Sequence, residues 1–425
     1  MASPTSAPLH TQHLVPAPAS TKIHLALLAT ALCDALGAPA EFKPRFSFSF
    51  ISRMKPNGNF SLGAGVWTDD TSMMLALARS LAMYSGSARG SSSQQAEGTR
   101  GGFDEADQLE AYLRWYQSGV LSAIGRCFDI GSTTRRALGI YKDALKASGA
   151  ALARIARDLR GDGFGGNGSL MRVLPVGLAY SRDPAGAAAY ARRSSATTHP
   201  SAVCKSACAA WTECIARLVC SADAREAKGE EQISKLDVLH HFAAYPWPAD
   251  ADALRVALAA DVPLPAGVVD PAAIEAHYTA HHRLMRLRAA AHTEALAATP
   301  SAGDAEGLAA RTLALLPSAA ALPSSGYVVH TLAAALYAFL ATRTFEAGAL
   351  LTANMGGDAD TVAAVYGGLA GVWYAAQEEE GADGEEGLFW SPRVRAWRNA
   401  LVRRDLIEEV AGELVEFVER HAASS

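Results

Sequence analysis

Apolar residues recur along this chain at helical spacing rather than with the two-residue alternation of strands. After Thr361 they follow one face of a helix, at i, i+3, i+4, i+7, i+10 and i+11: Val362, Val365, Tyr366, Leu369, Val372 and Trp373. Glycines lie among them at 367, 368 and 371, where they let another backbone come close. Residues 327–341 are apolar nearly all round, which predicts a central helix. We therefore expect an all-α fold.

The same pattern predicts a single compact multi-helix domain over residues 21–420, because no internal repeat at solenoid spacing divides the chain. Residues 1–20 are rich in Pro, Ser and Ala and are expected to form a disordered tail. Surface loop insertions are predicted at about 85–102, 221–236 and 376–387, where the sequence is polar or strongly charged. The apolar stretch Ile23–Leu32 is interpreted as a buried first helix, not as a signal peptide or a membrane span.

Composition restricts the class of protein further. Half of the 425 residues are hydrophobic, enough for a sizeable core, which excludes a wholly disordered protein. Lys and Arg number 38 against 43 Asp and Glu, and a net charge of −5 lacks the basic field of a nucleic-acid binder. Six cysteines are too few for a disulfide framework and are expected to be reduced thiols. We expect an intracellular, cytoplasmic monomer with no membrane partner.

Acidic residues stand at the start of two of the apolar helices. Thr68-Asp69-Asp70-Thr71 precedes one, Asp358-Ala359-Asp360-Thr361 precedes the other, and Glu41 follows the end of the first helix. Helix capping accounts for one such side chain at each start. Two carboxylates held 4 Å apart repel by about 4 kcal/mol at an effective dielectric constant of 20. Hard oxygen ligands of this kind suit Mg²⁺, Mn²⁺ or Ca²⁺, so capping and cation binding both stay open.

A glycine-rich segment, residues 161–169, leads into the apolar residues 170–175. A loop of this kind exposes N–H groups to an anion, and a diphosphate would fit. It matches neither the P-loop pattern nor a dinucleotide fingerprint, so a plain flexible turn is the alternative.

Five motifs follow one another along the chain: Asp34-x-x-Gly37 with Glu41, Trp67-Thr68-Asp69-Asp70-Thr71, Gly166-Asn167-Gly168-Ser169-Leu170-Met171-Arg172, Thr198-His199-Pro200, and Gly356-Gly357-Asp358-Ala359-Asp360-Thr361. Together they resemble the ADP-ribosylglycohydrolase family, and the resemblance runs from about Ile23 to Trp373. Ala359 departs from the family pattern, which usually has Thr between the two aspartates. Both carboxylates are kept.

The resemblance implies an all-α fold with two Mg²⁺ ions in a cleft, Mn²⁺ being the alternative metal. The residues that it implies as metal ligands are Thr68, Asp69, Asp70, Asp358, Asp360 and Thr361. It also implies a catalytic role for Glu41 and for Asp69 and Asp70 at the metal centre. The substrate-binding residues implied are Gly166, Asn167, Gly168 and Ser169 around the phosphates, His199 on the ligand side, and Asp129 near the leaving group.

The expected activity is hydrolysis of the N- or O-glycosidic bond at the anomeric carbon of ADP-ribose. The partner is then an ADP-ribosylated protein or a small ADP-ribose conjugate, with nucleic acid expected only as an ADP-ribosylated substrate. Two alternatives stay open: a non-catalytic ADP-ribose-binding or structural protein of the same fold, and a two-metal nucleotide phosphohydrolase. The sequence does not indicate which linkage is cleaved.

Overall fold

The computed structural model describes residues 7–85, 101–147, 150–225, 232–297, 305–376 and 387–424, which form eighteen α-helices and no β-sheet. The helices are α1 (Ala19–Gly37), α2 (Asp69–Met83), α3 (Glu105–Ser118), α4 (Ser132–Ala147), α5 (Ala151–Asp158), α6 (Leu174–Ala179), α7 (Pro184–Ala196), α8 (Ala202–Arg225), α9 (Lys235–Ala243), α10 (Asp252–Leu258), α11 (Pro271–His281), α12 (Arg283–Ala297), α13 (Ala305–Ala314), α14 (Val328–Ala341), α15 (Phe345–Ala353), α16 (Ala359–Trp373), α17 (Pro392–Ala400) and α18 (Arg404–Ser424). The prediction of an all-α fold is confirmed.

Helices α1 and α16 cross in close contact at the centre of the molecule. A Cβ atom built on Gly367 would lie 2.5 Å from the carbonyl oxygen of Ala29, and one on Gly371 would lie 2.7 Å from Cα of Ala26. At the other end of the crossing, a Cβ on Gly37 would lie 2.7 Å from the carbonyl oxygen of Ala359. The predicted close approach at the α16 glycines is therefore confirmed. It brings the carboxyl end of α1 against the start of α16.

Residues Ala19–Ala40 include the one helix of the described chain that is long and apolar enough to cross a membrane. Of its most apolar 18-residue stretch, 94% is buried inside the protein. This agrees with the prediction of a buried first helix, because core helices of folded proteins pass the same test of length and composition. All six cysteines are free thiols, as expected.

The segment that precedes α1 departs from the expectation of a disordered tail. Leu9 is fully buried in a short 3₁₀ helix, Leu9–Thr11, and its N–H donates to Oε1 of Glu275 at 2.8 Å. Leu14 N–H donates to the Ile233 carbonyl, and Val15 N–H donates to the Trp373 carbonyl. The prediction is thus wrong for residues 7–20, because long-range contacts hold a segment whose composition lacks helical periodicity. Residues 1–6 lie outside the described part.

The predicted insertions fall largely outside the described residues, namely at 86–100, 226–231 and 377–386. The predicted bounds of the middle insertion, residues 221 and 236, are both wrong. Helix α8 continues to Arg225, and α9 begins at Lys235, whose side chain is fully buried. The side-chain nitrogen of Lys235 donates to the carbonyl oxygens of Phe339 and Thr342 at 2.6 Å. These hydrogen bonds allow a lysine to be buried in a segment whose charged residues had indicated an exposed loop.

Candidate active site

The predicted acidic and glycine-rich segments meet in one cavity of about 620 Å³. Its volume lies in the range of small-molecule sites. Eleven of the residues proposed for the site line it: Glu41, Asp69, Asp70, Asp129, Gly166, Asn167, Gly168, His199, Asp358, Asp360 and Thr361. Segments more than 300 residues apart in the chain thus contribute to one site, as the cation hypothesis requires.

The start of α2 is held by a carboxylate from another helix. Asp34 of α1 is fully buried and accepts hydrogen bonds from the backbone N–H and the hydroxyl of Thr68, and from the N–H and the hydroxyl of Thr71. Thr68 is the N-cap and its hydroxyl accepts from Asp70 N–H at 3.4 Å. These bonds satisfy the exposed donors of the first turn and fix Asp69 and Asp70 at the cavity.

The start of α16 is built differently, because its acidic residues do not cap it. Asp358 occupies the N-cap position, yet its side chain makes no capping hydrogen bond. Instead, its Oδ2 accepts from Nδ2 of Asn167 at 2.6 Å, which ties α16 to the glycine-rich loop. The preceding Gly357 has φ = +66°, and a Cβ there would lie 2.3 Å from the Ser324 carbonyl oxygen. Helix capping therefore accounts for Thr68 but not for Asp358 or Asp360.

Several carboxylate oxygens in the cavity are buried without a hydrogen-bond donor among the described residues: Glu41 Oε2, Asp70 Oδ1 and Asp360 Oδ1. Ligand oxygens of Glu41, Asp129 and Asp360 lie within 4.8 Å of one another, and those of Asp34, Asp70 and Asp360 do likewise. Unpaired buried oxygens at this spacing fit divalent cations, which prefer carboxylate ligands. Asp34 is better described as a support, since its oxygens already accept from Thr68 and Thr71.

The crowded acids also raise one another's pKa values. Burial first, and then the charges of Asp129 and Asp358, raise the pKa of Glu41 to about 10. Burial raises the pKa of Asp70 and of Asp360 well above the ordinary range, with neighbouring carboxylates adding to the shift. Burial and mutual repulsion of this kind disfavour the charged carboxylates, and bound cations would offset both effects.

The glycine-rich loop is fixed from two sides. Asn167 N–H donates to the Gly326 carbonyl at 3.0 Å, and the Asn167 side chain also donates to the hydroxyl of Thr331. From the core side, the fully buried Arg172 donates to the Gly168 carbonyl at 2.9 Å and lies over the ring of Tyr112. The loop is thus a rigid wall of the cavity rather than a flexible turn.

Arg172 also sets the state of His199. Its second guanidinium nitrogen donates to the Thr198 hydroxyl at 2.6 Å, and that oxygen lies 2.8 Å from Nδ1 of His199. The hydroxyl proton then points at Nδ1, which places the imidazole proton on Nε2; the other tautomer would leave the hydroxyl proton without an acceptor among the described residues. Burial, and then the charge of Arg172, lower the pKa of His199 to about 3. His199 thus presents a neutral N–H donor.

Two predicted residues do not line the cavity. Thr68 is fully buried beneath it, with its hydroxyl 3.0 Å from both Asp34 Oδ1 and Asp70 Oδ2. The Ser169 side chain lies in the core, where its hydroxyl accepts from Ser195 and Cys208. A metal contact by Thr68 stays a prediction. Ser169 could therefore contact a ligand only through its backbone atoms.

Sequence reasoning missed other residues at the site. Asp34 belongs to the first motif, but it gave no sign that it holds the start of α2. Phe42 follows Glu41 and lines the cavity mouth, as do residues 131–134 at the start of α4 and residues 325–326 before α14. Residues 128–134 and 326–329 resemble family segments in sequence, but apart from Asp129 none of these residues was predicted to lie at the site.

The chain is similar to known proteins in sequence and in fold. A family model described as ADP-ribosylglycohydrolase matches residues 16–423. A solved structure named "ADP-ribosylglycohydrolase-related protein complex" is 29% identical, with a TM-score of 0.58, covering 94% of this chain and 99% of that one.

Characterised relatives are similar over most of their length. The ADP-ribosylarginine hydrolase Tri1 of Pseudomonas putida (strain GB-1) is 30% identical over 85% of this chain and 72% of its own. The ADP-ribosyl-[dinitrogen reductase] glycohydrolase of Rhodospirillum rubrum is 26% identical over 83% of this chain and 85% of its own. Both names describe hydrolysis of ADP-ribosyl linkages. With the family match spanning nearly the whole sequence, this chain belongs to the ADP-ribosylglycohydrolase family of hydrolases.

Proposed function

We propose that this protein hydrolyses the glycosidic bond at the anomeric carbon of ADP-ribose in a divalent-cation-dependent reaction, with two Mg²⁺ ions as the cofactor. One observation carries the proposal. Six carboxylates (Glu41, Asp69, Asp70, Asp129, Asp358 and Asp360) line one cavity together with a glycine-rich loop that is hydrogen-bonded on both sides. Carboxylates alone would suit many cations, whereas a loop of backbone donors beside them suits an anionic, sugar-bearing ligand.

The proposed cation ligands that line the cavity are Thr361 and the four aspartates other than Asp129, and Thr68 remains one in its buried position. The unpaired oxygens of Asp70 and Asp360 are the strongest support, because a buried carboxylate oxygen without a donor is unfavourable unless a cation binds it. When bound, the cations would fix the ribose hydroxyls and acidify a water molecule.

The chain's own groups supply the remaining chemistry. Cleavage at the anomeric carbon develops positive charge on the ribose ring, and an acidic cavity stabilises that charge. Glu41 is the proposed proton-transfer group, since its Oε2 is buried at the cavity without a hydrogen-bond partner among the described residues. The loop at Gly166–Gly168 and the fixed N–H donor of His199 hold the diphosphate and ribose, so that remote binding energy positions the reacting carbon.

ADP-ribosylarginine on a protein is the proposed substrate. Two relatives, from Pseudomonas putida (strain GB-1) and from Serratia proteamaculans (strain 568), carry the name ADP-ribosylarginine hydrolase, and the second is 26% identical over 92% of this chain. The Rhodospirillum rubrum relative is named for an ADP-ribosylated protein as well.

A panel of ADP-ribosyl conjugates tests the proposal. Arginine, serine, O-acetyl, polymeric and nucleic-acid conjugates are incubated with the protein, with and without Mg²⁺, and free ADP-ribose is quantified. We expect Mg²⁺-dependent release from the arginine conjugate, and loss of release in Asp69→Ala and in Asp358→Ala while both variants stay folded. Release of AMP or phosphate would instead indicate a nucleotide phosphohydrolase. Tight ADP-ribose binding without any turnover would indicate a non-catalytic member.

A further inference from the structure

Three aromatic side chains pack in series beside the cavity, and we call them the aromatic rim: the exposed Phe42 and, behind it, the partly buried Phe60 and Phe128. The ring centroids of Phe42 and Phe60 are 6.5 Å apart and those of Phe60 and Phe128 are 5.6 Å apart, both in inclined geometries. Phe42 lines the cavity and is 67% exposed. An exposed phenyl ring at a site entrance contributes little to folding and can contact a ligand with its aromatic face.

The backbone holds Phe42 at this place against its own preference. Its φ is +62°, a left-handed conformation that is unfavourable for a residue with a Cβ atom. Two bonds enforce it: Phe42 N–H donates to the Gly357 carbonyl at 2.6 Å, and Gly357 N–H donates to the Lys43 carbonyl at 2.8 Å. Conformations of this kind persist where the surroundings over-determine them and are concentrated at functional sites. Here the reversal directs Glu41 inward and leaves Phe42 at the mouth.

Carboxylates border the rim. Glu41 immediately precedes Phe42, Asp129 immediately follows Phe128, and both acids line the cavity. Among the described residues that line this cavity there is no lysine or arginine. A planar, delocalised cation binds favourably to both features, because it stacks on aromatic faces and pairs with carboxylates. A neutral hydroxyl leaving group makes neither interaction.

We propose that the aromatic rim recognises the guanidinium group of the leaving arginine, with Phe42 as the residue that determines specificity for arginine over hydroxyl-linked ADP-ribose. The inference rests on the proposed function and deepens it. It concerns the side of the site that faces the leaving group, whereas the loop at Gly166–Gly168 faces the ADP-ribose.

Two substitutions at Phe42 distinguish the contribution of its aromatic face from that of its apolar volume. Phe42→Leu keeps an apolar side chain and removes the aromatic face, and Phe42→Tyr keeps the face. Phe46 offers a matched control, because it is 58% exposed, has φ = +65° and does not line the cavity. Each variant is assayed for release of ADP-ribose from an arginine-linked peptide and from a serine-linked peptide of the same sequence, with melting temperatures as a check on folding.

We expect Phe42→Leu to lower kcat/KM on the arginine conjugate about fivefold to tenfold, mainly through KM, since cation–π contacts have about that strength. Activity on the serine conjugate should change less than twofold. Phe42→Tyr should behave as wild type, and Phe46→Leu should match wild type on both substrates. An equal loss on both conjugates, or no loss on either, overturns the inference while leaving the proposed hydrolase intact.

A binding measurement distinguishes failure of the inference from failure of the proposed function. Nα-acetylarginine amide is titrated into wild type and Phe42→Leu by ligand-observed NMR, with Nα-acetyllysine amide as a cation that lacks a planar face. Preferential arginine binding that weakens in Phe42→Leu supports the rim even if wild type releases no ADP-ribose. Equal binding of the two amides, or arginine binding unchanged in Phe42→Leu, overturns it.

Discussion

The carboxylate of Asp34 accepts hydrogen bonds from both the backbone N–H and the hydroxyl of Thr68, at 3.0–3.1 Å, across 34 residues of sequence. A residue of one helix thus caps the start of the next. Because Asp69 and Asp70 follow directly, the geometry of the acidic cavity depends on a side chain beneath the cavity and not on its surface.

Asp34→Asn should therefore weaken both the fold and the site. The amide keeps the shape but turns an N–H₂ group toward donors of Thr68 and Thr71, so at least one buried N–H or hydroxyl loses its acceptor. We expect a loss of about 1–3 kcal/mol in the free energy of unfolding. Because residues that orient metal ligands matter nearly as much as the ligands, activity should fall about 10–100-fold. Urea titration and the arginine-conjugate assay measure the two effects.

The control is Asp237→Asn at the start of α9, where the Asp237 carboxylate accepts from the N–H and the hydroxyl of Ser234 within a capping box. It removes a comparable capping interaction away from the cavity, so it should lower stability without the loss of activity. Should Asp34→Asn lose no more activity than Asp237→Asn, the supporting role of Asp34 is disproved.

Divalent cations should stabilise the wild-type protein through Asp360. In their absence the buried carboxylates repel one another, so Asp360→Asn should melt at a higher temperature than wild type. Millimolar Mg²⁺ or Mn²⁺ should raise the melting temperature of wild type by mass action and have little effect on Asp360→Asn. Differential scanning fluorimetry over a cation series measures both trends.

Asp252→Asn gives the reference for this measurement, since it removes an exposed carboxylate on α10 that is paired with Arg255. Its response to the cations should equal that of wild type. If Asp360→Asn gains as much from Mg²⁺ as wild type does, its carboxylate is no cation ligand.

The neutral state of His199 should appear in the pH dependence of stability. With a pKa of about 3 when folded and about 6.5 when unfolded, the imidazole binds a proton only in the unfolded chain between these values. The unfolded state then binds more protons, so His199 makes stability fall as pH falls from 6.5 toward 3, by about 1.4 kcal/mol per pH unit. In His199→Gln this contribution is absent.

Urea unfolding of both proteins between pH 4.5 and 7.5 measures the effect as a difference, which cancels the carboxylates common to the two. We expect the stability of His199→Gln relative to wild type to rise as pH is lowered below 6.5. A pH-independent difference would mean that His199 titrates alike in the folded and unfolded states.

The sequence predicted the acidic segments of the site because aspartates stand out at the start of apolar helices. It did not reveal the role of Asp34, since a carboxylate inside an apolar helix finds its partners only after α1 and α2 have packed. The sequence also did not show that the Ser169 side chain points into the core, because its partners there come from helices that pack against it only in the folded protein. Phe42 gave no signal, because a phenylalanine seldom adopts a left-handed conformation and one forced into it by Gly357 cannot be recognised from neighbouring residues.

The glycines of α16 were predicted from the sequence to admit another backbone, and this makes a test of the fold itself. Alanine is favoured over glycine in a helix by about 1 kcal/mol, yet a Cβ at Gly367 would lie 2.5 Å from the Ala29 carbonyl oxygen. Gly367→Ala must therefore push α1 away from α16, and we expect the free energy of unfolding to fall by about 1–3 kcal/mol.

Gly412 on α18 provides the control, because no atom lies within 4 Å of a Cβ built there. Gly412→Ala should raise the free energy of unfolding by up to about 1 kcal/mol. Urea titration of the two variants measures the opposite signs. Equal changes in the free energy of unfolding for the two variants would mean that α1 and α16 can move apart at little energetic cost. A loss confined to Gly367→Ala, accompanied by reduced activity, would show that the crossing sets the distance between Glu41 and the aspartates of α16.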